Sequence, residues 1–287
     1  MANLLKDQLN GVVPTDISTS MMEEILHGSC ILPLANVHQM KAPKETFNVW
    51  ADKPGAYFVN EGAAIPVTTA TMLHPTMEAK KLGVLLTVTK EKLNDSVIDV
   101  FAELQPQIVE AIYRKLDDEI LNGTDGVFGK NVMGVITSAG ATVTKGTNST
   151  IDLDVSDAMA LVEAKDYEPN GFLAPISMKN TLRKLRDANG NQLMFNGVGG
   201  SEFYGLPIEF ASNGALKDAQ ANVVVADWNK LLVGILQDME FSVSTDATIV
   251  DGVTTINLFQ QDLIAIKVTF RVAALPIKED AFAAVIQ

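Results

Sequence analysis

The chain has 287 residues, of which 47% are hydrophobic and 20% charged, and its formal net charge is −13. This composition is typical of a folded globular protein with one large domain or two ordinary ones, and it excludes an intrinsically disordered chain. The negative charge argues against a broad phosphate-binding surface, because such a surface needs clustered lysine and arginine. It favours solubility and would repel nucleic acid.

The first 35 residues combine short amphipathic pieces with turn signals, and Pro14 and Pro33 interrupt regular structure. Because this segment is too short to hold its own core, the sequence predicts an extended arm that lies on something else. Cys30 lies in the apolar run SCILPLA, so we expect a small buried hydrophobe. A single cysteine excludes an intramolecular disulfide and is compatible with a reducing cytoplasm. Neither a secretory signal nor a membrane span is expected.

Residues 41–81 change to a strand pattern. ETFNVW and AYFV are typical of strands, and ADKPG between them has turn chemistry. MEAKKLGVLLTVTK alternates and ends as a buried strand. A two-stranded excursion of about forty residues cannot bury both of its faces. The sequence therefore predicts that it packs on another subunit or domain, with Lys80 and Lys81 as a solvated patch at its root.

The longest periodic stretch runs from Thr89 to Gly123. Its apolar residues form one helical stripe: Val97, Phe101, Leu104, Ile108, Ile112, Leu116 and Ile120. Asn94 or Asp95 can cap its first turn, and Gly123 lets the chain leave in a left-handed conformation. The stripe stays in phase across Pro106, so we interpret this proline as a kink in one helix. The alternative is a second helix that begins at Pro106.

Three neighbouring carboxylates, Asp117, Asp118 and Glu119, lie near the end of this stretch. Neighbouring helical positions point about 100° apart, so these groups cannot converge on one metal ion. Arg114 with Asp118 and Lys115 with Glu119 have the i, i+4 spacing of ion pairs. We therefore predict a solvated, ion-paired face.

The rest of the chain mixes helical and strand patterns without regular alternation. The Gly- and Asn-rich segment 121–140 predicts a loop that leads into a short strand. Two helices are predicted between residues 155 and 188, the first capped by Ser156, with FLAPIS as a strand between them. A long loop at 189–204 precedes the strands LPIEFAS, ANVVVADW and KLLVGIL. QDMEFSVSTDATI and TTINLFQQDLIAIKVTFRVAALPI predict the longest strand pair, joined at VDG, before a final strand AFAAVIQ. The predicted class is α+β.

Signals of catalysis are weak. His27, His38 and His74 are scattered, without the spacing of metal ligands. The chain has no G-x-S-x-G elbow and no P-loop, and GVGG at 197–200 is not set in the strand–loop–helix unit of a dinucleotide site. The sequence therefore predicts no active site, no metal and no cofactor.

Several short motifs carry a family resemblance through their order over most of the chain. They are SMMEEILHGSCILPLA after Pro14, YFVNEGAAIP at 57–66, MEAKKLGVLLTVTKEKLNDS before the long helix, LNGTDG at 121–126, LRKLRDANGNQLMF, YGLPIEFA at 204–211, and LFQQDLIAIKVTFRVAALPIKEDAF with Arg271. In this order they resemble the arm, extended loop, return strand, spine-helix turn, axial-domain and closing motifs of the major capsid proteins of tailed bacteriophages, which have the Hong Kong 97-type capsid fold.

The resemblance implies an α+β shell subunit that tiles an icosahedral head, as hexamers and pentamers, around double-stranded DNA without binding it specifically. It would consist of an N-terminal arm (1–38), an extended loop (39–82), a peripheral domain (83–140 and 237–270) and an axial domain (141–236 and 271–287).

The same resemblance implies roles for individual residues. The expected contacts between subunits are Trp50, Tyr57, Glu61, Ile65, Lys80 and Lys81. DNA filling expands such shells during procapsid maturation. Pro106 in the spine helix and the loop 41–81 are the expected flexing points, because segments with few contacts to their own subunit move most easily.

One departure from the family concerns covalent cross-links. In the best-known member, a loop lysine is joined to an asparagine of a neighbouring subunit with the help of a glutamate. The matching positions here are Ile65, Asp262 and Thr269, none of which suits that chemistry. We therefore expect a shell held by non-covalent contacts, with a cement or decoration protein as a further option.

The expected partners are other copies of the chain, a separate scaffolding protein and a portal, with no membrane. A separate scaffolding protein is expected because the chain begins close to the arm. Assembly would take place in the cytoplasm of a bacterial host, and the product would be part of the virion.

Three alternatives stay open at this point. An encapsulin-type nanocompartment shell would have the same fold and would load an enzyme in place of DNA. A soluble enzyme is a remote alternative that would need a convergent, titratable cluster. Another structural virion protein, such as a tail component, would not form a hollow shell.

Overall fold

The computed structural model describes residues 24–25, 28–51, 54–62, 64–68, 71–91, 100–147, 150–186, 202–217, 219–252 and 254–287. Several predictions fall outside the described residues. These are the break at Pro14, the helix cap at Asn94 or Asp95, His27, and most of the loop predicted at 189–204.

The described chain contains both helices and strands, as the sequence predicts. The helices are α1 (Val100–Asn122), α2 (Val132–Ala139), α3 (Ile151–Glu163) and α4 (Met178–Arg183). The strands before α1 are β1 (Asn36–Gln39), β2 (Lys44–Thr46), β3 (Val49–Trp50), β4 (Met72–Leu73), β5 (Thr76–Glu78) and β6 (Lys80–Thr89). Those after it are β7 (Thr142–Thr144), β8 (Gly171–Pro175), β9 (Glu202–Phe203), β10 (Leu206–Ala211), β11 (Val223–Ala226), β12 (Leu231–Ser244), β13 (Thr248–Asp251), β14 (Thr254–Asn257), β15 (Leu263–Pro276) and β16 (Phe282–Ile286).

A four-stranded sheet in the order β1-β12-β15-β6 carries the long helix. Strand β6 is half-buried because its side chains alternate between the two faces of the sheet. Leu82, Val84 and Leu86 pack against the main core, while Lys81 and Leu85 are exposed. The helix α1 adds its apolar stripe to the same core, where Ile108, Ile112, Leu116 and Ile120 are almost fully buried.

The helix α1 runs without interruption through Pro106. The prediction of one helix is therefore confirmed, and the alternative of a second helix that begins at Pro106 is wrong. The predicted exit is also confirmed. Gly123 has a φ of 61°, and its N–H donates to the carbonyl of Glu119 at 3.0 Å. Glycine adopts this left-handed conformation without the steric cost of a Cβ.

The longest strand pair is β12 with β15, within the two segments that the sequence predicts, but the bounds differ. The first strand begins earlier than predicted, and β15 is shorter than the predicted segment 254–277. KLLVGIL and QDMEFSVS form the single strand β12, paired from Leu231 opposite Pro276 to Ser244 opposite Ala265. Irregularities between Ile235 and Glu240 shift the register. Such a bulge breaks the alternation of apolar residues without ending the strand. A hairpin turn is present at VDG, but it joins β13 to β14 in a separate short hairpin, so the prediction that it joins the two long strands is wrong.

A six-stranded sheet in the order β7-β16-β11-β8-β10-β9 forms the second half of the molecule. Its central strands β8 and β11 are fully buried, because both faces of the sheet are covered. On one face, α3 and α4 share a hydrophobic cluster with side chains of the sheet. Side chains of the other face belong to the main core, to which α1 and α2 also contribute.

Three local predictions are wrong. VMGVITSA forms the helix α2 instead of a strand, because Val132, Val135 and Ile136 lie on one buried helical face. The sequence does not indicate this helix, because Gly134 and the β-branched residues of the segment have low helix propensity. The helix α3 begins at Ile151, a full turn before the predicted cap Ser156, and Ile151 and Val155 already belong to its buried stripe. AYFV at 56–59 has no regular structure.

Candidate functional site

A two-stranded hairpin leaves the four-stranded sheet between β1 and β6. β2 pairs with β5 and β3 pairs with β4, both antiparallel. The described residues beyond β3, 54–62 and 64–68, have no helix or strand. The predicted two-stranded excursion is thus present, and its outer part has no core of its own.

The described part of the hairpin exposes large apolar side chains from β3 to β4. Phe58, Val67 and Ile65 have exposed fractions of 111%, 93% and 75%. The remaining members of this apolar surface are Trp50, Tyr57, Met72 and Leu73, all exposed by 41% or more. A stable monomer rarely exposes so many large apolar groups together, so a surface of this kind marks an interaction site.

The six residues predicted from the resemblance lie at different places on this hairpin. Trp50 is on β3, and its carbonyl accepts a hydrogen bond from the Lys278 ammonium. Three lie in the irregular outer part: Tyr57, Glu61 and Ile65. Lys80 and Lys81 begin β6 at the root, where Lys80 Nζ lies 3.0 Å from Glu78 Oε2. The structure therefore does not bring all six together into one patch of the isolated chain.

A small hydrophobic cluster joins the root of the hairpin to the sheet. Met40 and Met77 are almost fully buried and pack with Leu232, Ala273 and Leu275. They lie over Gly234 of β12. A Cβ at that position would be 2.5 Å from Met77 Cε and 2.7 Å from Met40 Sδ. Because Gly234 has no side chain, both methionine side chains can occupy the space above it. We call this space the Gly234 socket.

A carboxylate closes the turn at the same root. Glu45 accepts hydrogen bonds from the backbone N–H groups of Lys41, at 2.6 Å, and Ala42, at 3.4 Å. His38 Nε2 lies 3.0 Å from its other oxygen. The hydrogen bond from the Lys41 N–H is the main reason that the pKa of Glu45 lies below its usual value, and those from His38 and Ala42 lower it further. The turn that starts the hairpin is fixed by its own side chains.

The base of the N-terminal arm is fixed by one buried carboxylate, that of Asp117. It accepts hydrogen bonds from Ser29 Oγ at 2.5 Å, the Cys30 N–H at 2.9 Å and Asn213 Nδ2 at 2.6 Å. The Cys30 thiol lies 3.3 Å away. Asp117 thus connects three parts of the chain that are distant in sequence: the arm, α1 and the loop after β10.

The prediction that residues 117–119 form a solvated, ion-paired face is wrong. Asp117 is 0% exposed and Glu119 is 4% exposed. Glu119 accepts from the N–H groups of Asp125 and Val127, at 2.9 and 2.5 Å, and so holds the turn after the helix. Lys115, predicted to pair with Glu119, instead pairs with Asp125 at 2.7 Å. Residues at i, i+4 are neighbours on a helix surface, but here Lys115 and Glu119 each bind a partner beyond the end of the helix instead.

Burial controls the ionisation of this cluster. It raises the pKa of Asp117, although the donors from Ser29, Cys30 and Asn213 lower it. The Cys30 thiol is buried beside this carboxylate, and both effects raise its pKa far above the usual range, so the thiol is neutral. Asp118 behaves differently. Hydrogen bonds from Asn122 and Thr124 outweigh its partial burial and lower its pKa.

Chemistry of other kinds has little support in the described part of the chain. It contains no group of three or more His, Cys, Asp and Glu side chains that could hold a metal ion. Within the same ranges, no helix is long and apolar enough to cross a membrane. His74 Nδ1 lies 2.8 Å from Asn48 Oδ1 on the hairpin and far from His38 in the chain. The prominent features are an apolar hairpin and an anchored arm.

A family model described as the phage capsid family matches residues 10–286 of the chain. The chain belongs to the phage capsid family. Its members are structural proteins and not enzymes, and this chain accordingly belongs to the capsid of a virion.

Individual relatives agree with this family. The major capsid protein of Staphylococcus phage 80alpha is 34% identical over 286 residues, which cover 98% of this chain and 86% of that protein. A solved structure from Mycobacterium phage Adephagia has a TM-score of 0.80 at 22% identity and covers 90% of both chains. One from Microbacterium phage Oxtober96 has a TM-score of 0.79 at 25% identity, with 90% of this chain and 91% of the other covered. The capsid assignment takes the place of the soluble-enzyme alternative.

Proposed function

We propose that this chain is the subunit that assembles, as hexamers and pentamers, into an icosahedral head enclosing double-stranded phage DNA. The observation that carries the proposal is the apolar hairpin surface. Its side chains lie on two short strand pairs and on the irregular segments beyond them, and the described residues of this hairpin leave them exposed. Burial against a neighbouring copy would remove this apolar area from water and stabilise the contact.

The architecture supports a division into the parts that the resemblance implies. The N-terminal arm would be residues 1–38 and the extended loop 39–82. The four-stranded sheet with α1 fits the peripheral domain, 83–140 and 237–270, and the six-stranded sheet with α3 and α4 fits the axial domain, 141–236 and 271–287. The boundaries at 236/237 and 270/271 lie inside β12 and β15. The two domains would therefore share continuous strands, which makes a rigid connection between them.

The hairpin residues would have two kinds of role at the contact between subunits. Trp50, Tyr57 and Ile65 would supply buried apolar area, because their side chains are large and exposed. Glu61, Lys80 and Lys81 would form the polar margin, since charged groups contribute most to the specificity and register of a contact.

The charge of the subunit supports a container for DNA more than a DNA-binding protein. A net charge of −13 cannot neutralise phosphates over a broad surface. DNA would be enclosed without specific contacts. A separate scaffolding protein, a portal and a decoration protein belong to the same proposal, as partners during assembly or on the finished shell.

The test is electron microscopy of the chain produced in bacteria, alone and together with the scaffolding gene of its phage. We expect closed shells, or rings of five and six subunits, in at least one of the two preparations. DNA inside particles from infected cells would separate a phage head from a nanocompartment, which would contain an enzyme. A compact small oligomer in both preparations would contradict the proposal.

A further inference from the structure

The helices α3 and α4 lie side by side on one face of the six-stranded sheet. Both contribute to the same hydrophobic cluster, α3 through Ile151, Val155, Ala158 and Val162 and α4 through Met178 and Leu182. The helix α3 packs over the end of the sheet formed by β7, β16 and β11, and α4 packs on β8. Their outer flanks therefore face opposite edges of the sheet, β7 on one side and β9 on the other.

The outer flank of α3 is apolar and acidic. Asp154 marks this flank, because it accepts a hydrogen bond from the Gly146 N–H in the loop that follows β7. Leu153, Asp157 and Leu161 lie on the exposed surface beside it, with Leu153 exposed by 60% and Leu161 by 38%. Asp157 has no hydrogen-bond or ion-pair partner within the described part of the chain. We call Leu153, Asp157 and Leu161 the acidic flank.

The outer flank of α4 is apolar and basic. Lys179 Nζ lies 5.1 Å from the centre of the Phe210 ring on β10, so this flank faces the β9 edge. Arg183 follows one helical turn later, and Ile176 beside them is 55% exposed. Residues 176–186 contain four basic residues and no acidic one, in a chain whose net charge is −13. We call Ile176, Lys179 and Arg183 the basic flank.

Glu209 of β10 does not neutralise this flank. Phe210 packs with the cluster beneath α3 and α4. Because side chains alternate along a strand, Glu209 points to the other face of the sheet. The two flanks thus differ in sign, share a mixed apolar and charged character, and lie at opposite ends of one layer.

We propose that the acidic flank of one copy binds the basic flank of the next copy around a ring. Two different patches at opposite ends of a molecule form a head-to-tail contact, which closes into a ring when the rotation per subunit permits. Matched opposite charge would set the register, and the exposed Leu153, Leu161 and Ile176 would be covered. This inference rests on the proposed assembly into hexamers and pentamers and names the surface that would join neighbours within each ring.

Charge reversal of either flank tests the inference. One variant is Asp157→Lys, and the other combines Lys179→Glu with Arg183→Glu. Each places like charges across the contact, so we expect the fraction of chain found in rings or shells to fall at least about tenfold. The combination of all three substitutions in one chain restores opposite charges. We expect assembly to recover in this combined variant, which would also show that the altered side chains do not prevent folding.

Matched controls lie on the inner flanks of the same helices. Glu163→Lys and Lys184→Glu make the same charge changes at exposed positions that face away from the two edges, and both should assemble like the unmodified chain. Assembly of the single-flank variants at the unmodified level, or failure of the combined variant to recover, would overturn the inference. An unmodified chain that never forms rings or shells would instead overturn the proposed function.

Discussion

Asp117 illustrates how much of this subunit depends on single buried groups. Its carboxylate connects the arm base, the long helix and the loop after β10 through three hydrogen bonds with distances of 2.5–2.9 Å. Buried polar groups that lose their partner incur the full cost of desolvation. Asp117 therefore stabilises the fold and also holds the base of the arm in one position.

The first prediction concerns removal of this carboxylate. Asp117→Ala removes the acceptor for the buried donors of Ser29 and Cys30 and for the half-buried amide of Asn213, and it opens a small cavity. We expect the free energy of unfolding to fall by about 3 kcal/mol or more. Urea denaturation of the unassembled chain would measure it. Glu110→Ala, on the exposed side of the same helix, is the control and should change stability by less than about 0.5 kcal/mol. Equal effects of the two substitutions would contradict the anchoring role.

The second prediction concerns the pH dependence of the same group. Burial raises the pKa of Asp117, so the folded chain holds this proton more tightly than the unfolded chain does. Stability from this group is therefore present below the ordinary aspartate pKa of about 3.9 and is lost as the pH rises through the raised value. Asp117→Asn cannot titrate. We expect the unfolding free energy of the unmodified chain, relative to this variant, to decrease as the pH rises through that window. If the difference in unfolding free energy between the two proteins stays constant or increases as the pH rises, the prediction is contradicted.

At the scale of elements, the hairpin root depends on a glycine. Met40 and Met77 occupy the space above Gly234, and methionine adapts its shape more easily than other apolar residues. The two methionines are the large, almost fully buried side chains in the apolar contact between the hairpin root and the sheet, and Phe47 packs against the same cluster. An added side chain at Gly234 should therefore move the hairpin before it unfolds the sheet.

The third prediction follows from this socket. Gly234→Val would overlap Met77 and Met40, and overpacking of this kind costs about 1–3 kcal/mol. We expect lower stability by urea denaturation and faster proteolysis within residues 41–79. Gly83→Ala is the control, because a Cβ at that position of β6 would meet its nearest atom at an ordinary 3.5 Å. Unchanged proteolysis of the hairpin in Gly234→Val would show that the socket does not hold it.

The fourth prediction concerns movement during maturation. Pro106 is exposed inside α1 and cannot donate a backbone hydrogen bond to the preceding turn. The hairpin has few contacts with its own subunit outside its root. We expect hydrogen exchange near Pro106 and in residues 41–81 to differ between precursor and expanded shells, while β12 and β15 stay equally protected. Equally slow exchange of all these segments in both shells would refute flexing at these points.

Sequence patterns predicted the elements whose signal is local and periodic. The stripe from Ile108 to Ile120, the exit at Gly123 and the alternation of β6 all follow from the geometry of one element. Sequence patterns failed for residues whose environment is set by contacts with other parts of the chain. The i, i+4 spacing of Lys115 and Glu119 gave no sign that Glu119 would turn inward to hold the 125–127 backbone. A carboxylate beside the apolar Leu116 and Ile120 was the one available signal that Asp117 is buried.

At the scale of the whole molecule, the subunit contrasts a well-packed body with an exposed apolar hairpin. The main core joins the four-stranded sheet, α1, α2 and one face of the six-stranded sheet. The hairpin and the flanks of α3 and α4 lie at the periphery of that body. A subunit that must change its position in a shell without unfolding benefits from this arrangement, because contacts with neighbours can change while the core stays intact.

The last prediction concerns how these contacts are held together. A covalent link of the known family type needs a loop lysine, an asparagine and a nearby glutamate. Ile65 at the first position has no amine. Asp262, at the second, lies 2.9 Å from Lys90 Nζ of its own chain, and Thr269, at the third, is nearly buried and has no carboxylate.

Purified mature particles that are boiled in detergent and reductant should therefore give a single band at the mass of the monomer, 30.9 kDa. The same particles, treated with a lysine-reactive cross-linker before boiling, are the control and should give a ladder of oligomers. This ladder establishes that linked subunits would have been seen. A ladder without the cross-linker would mean that other residues form covalent bonds between subunits. Its absence leaves the apolar hairpin and the paired helix flanks as the contacts that keep the shell closed.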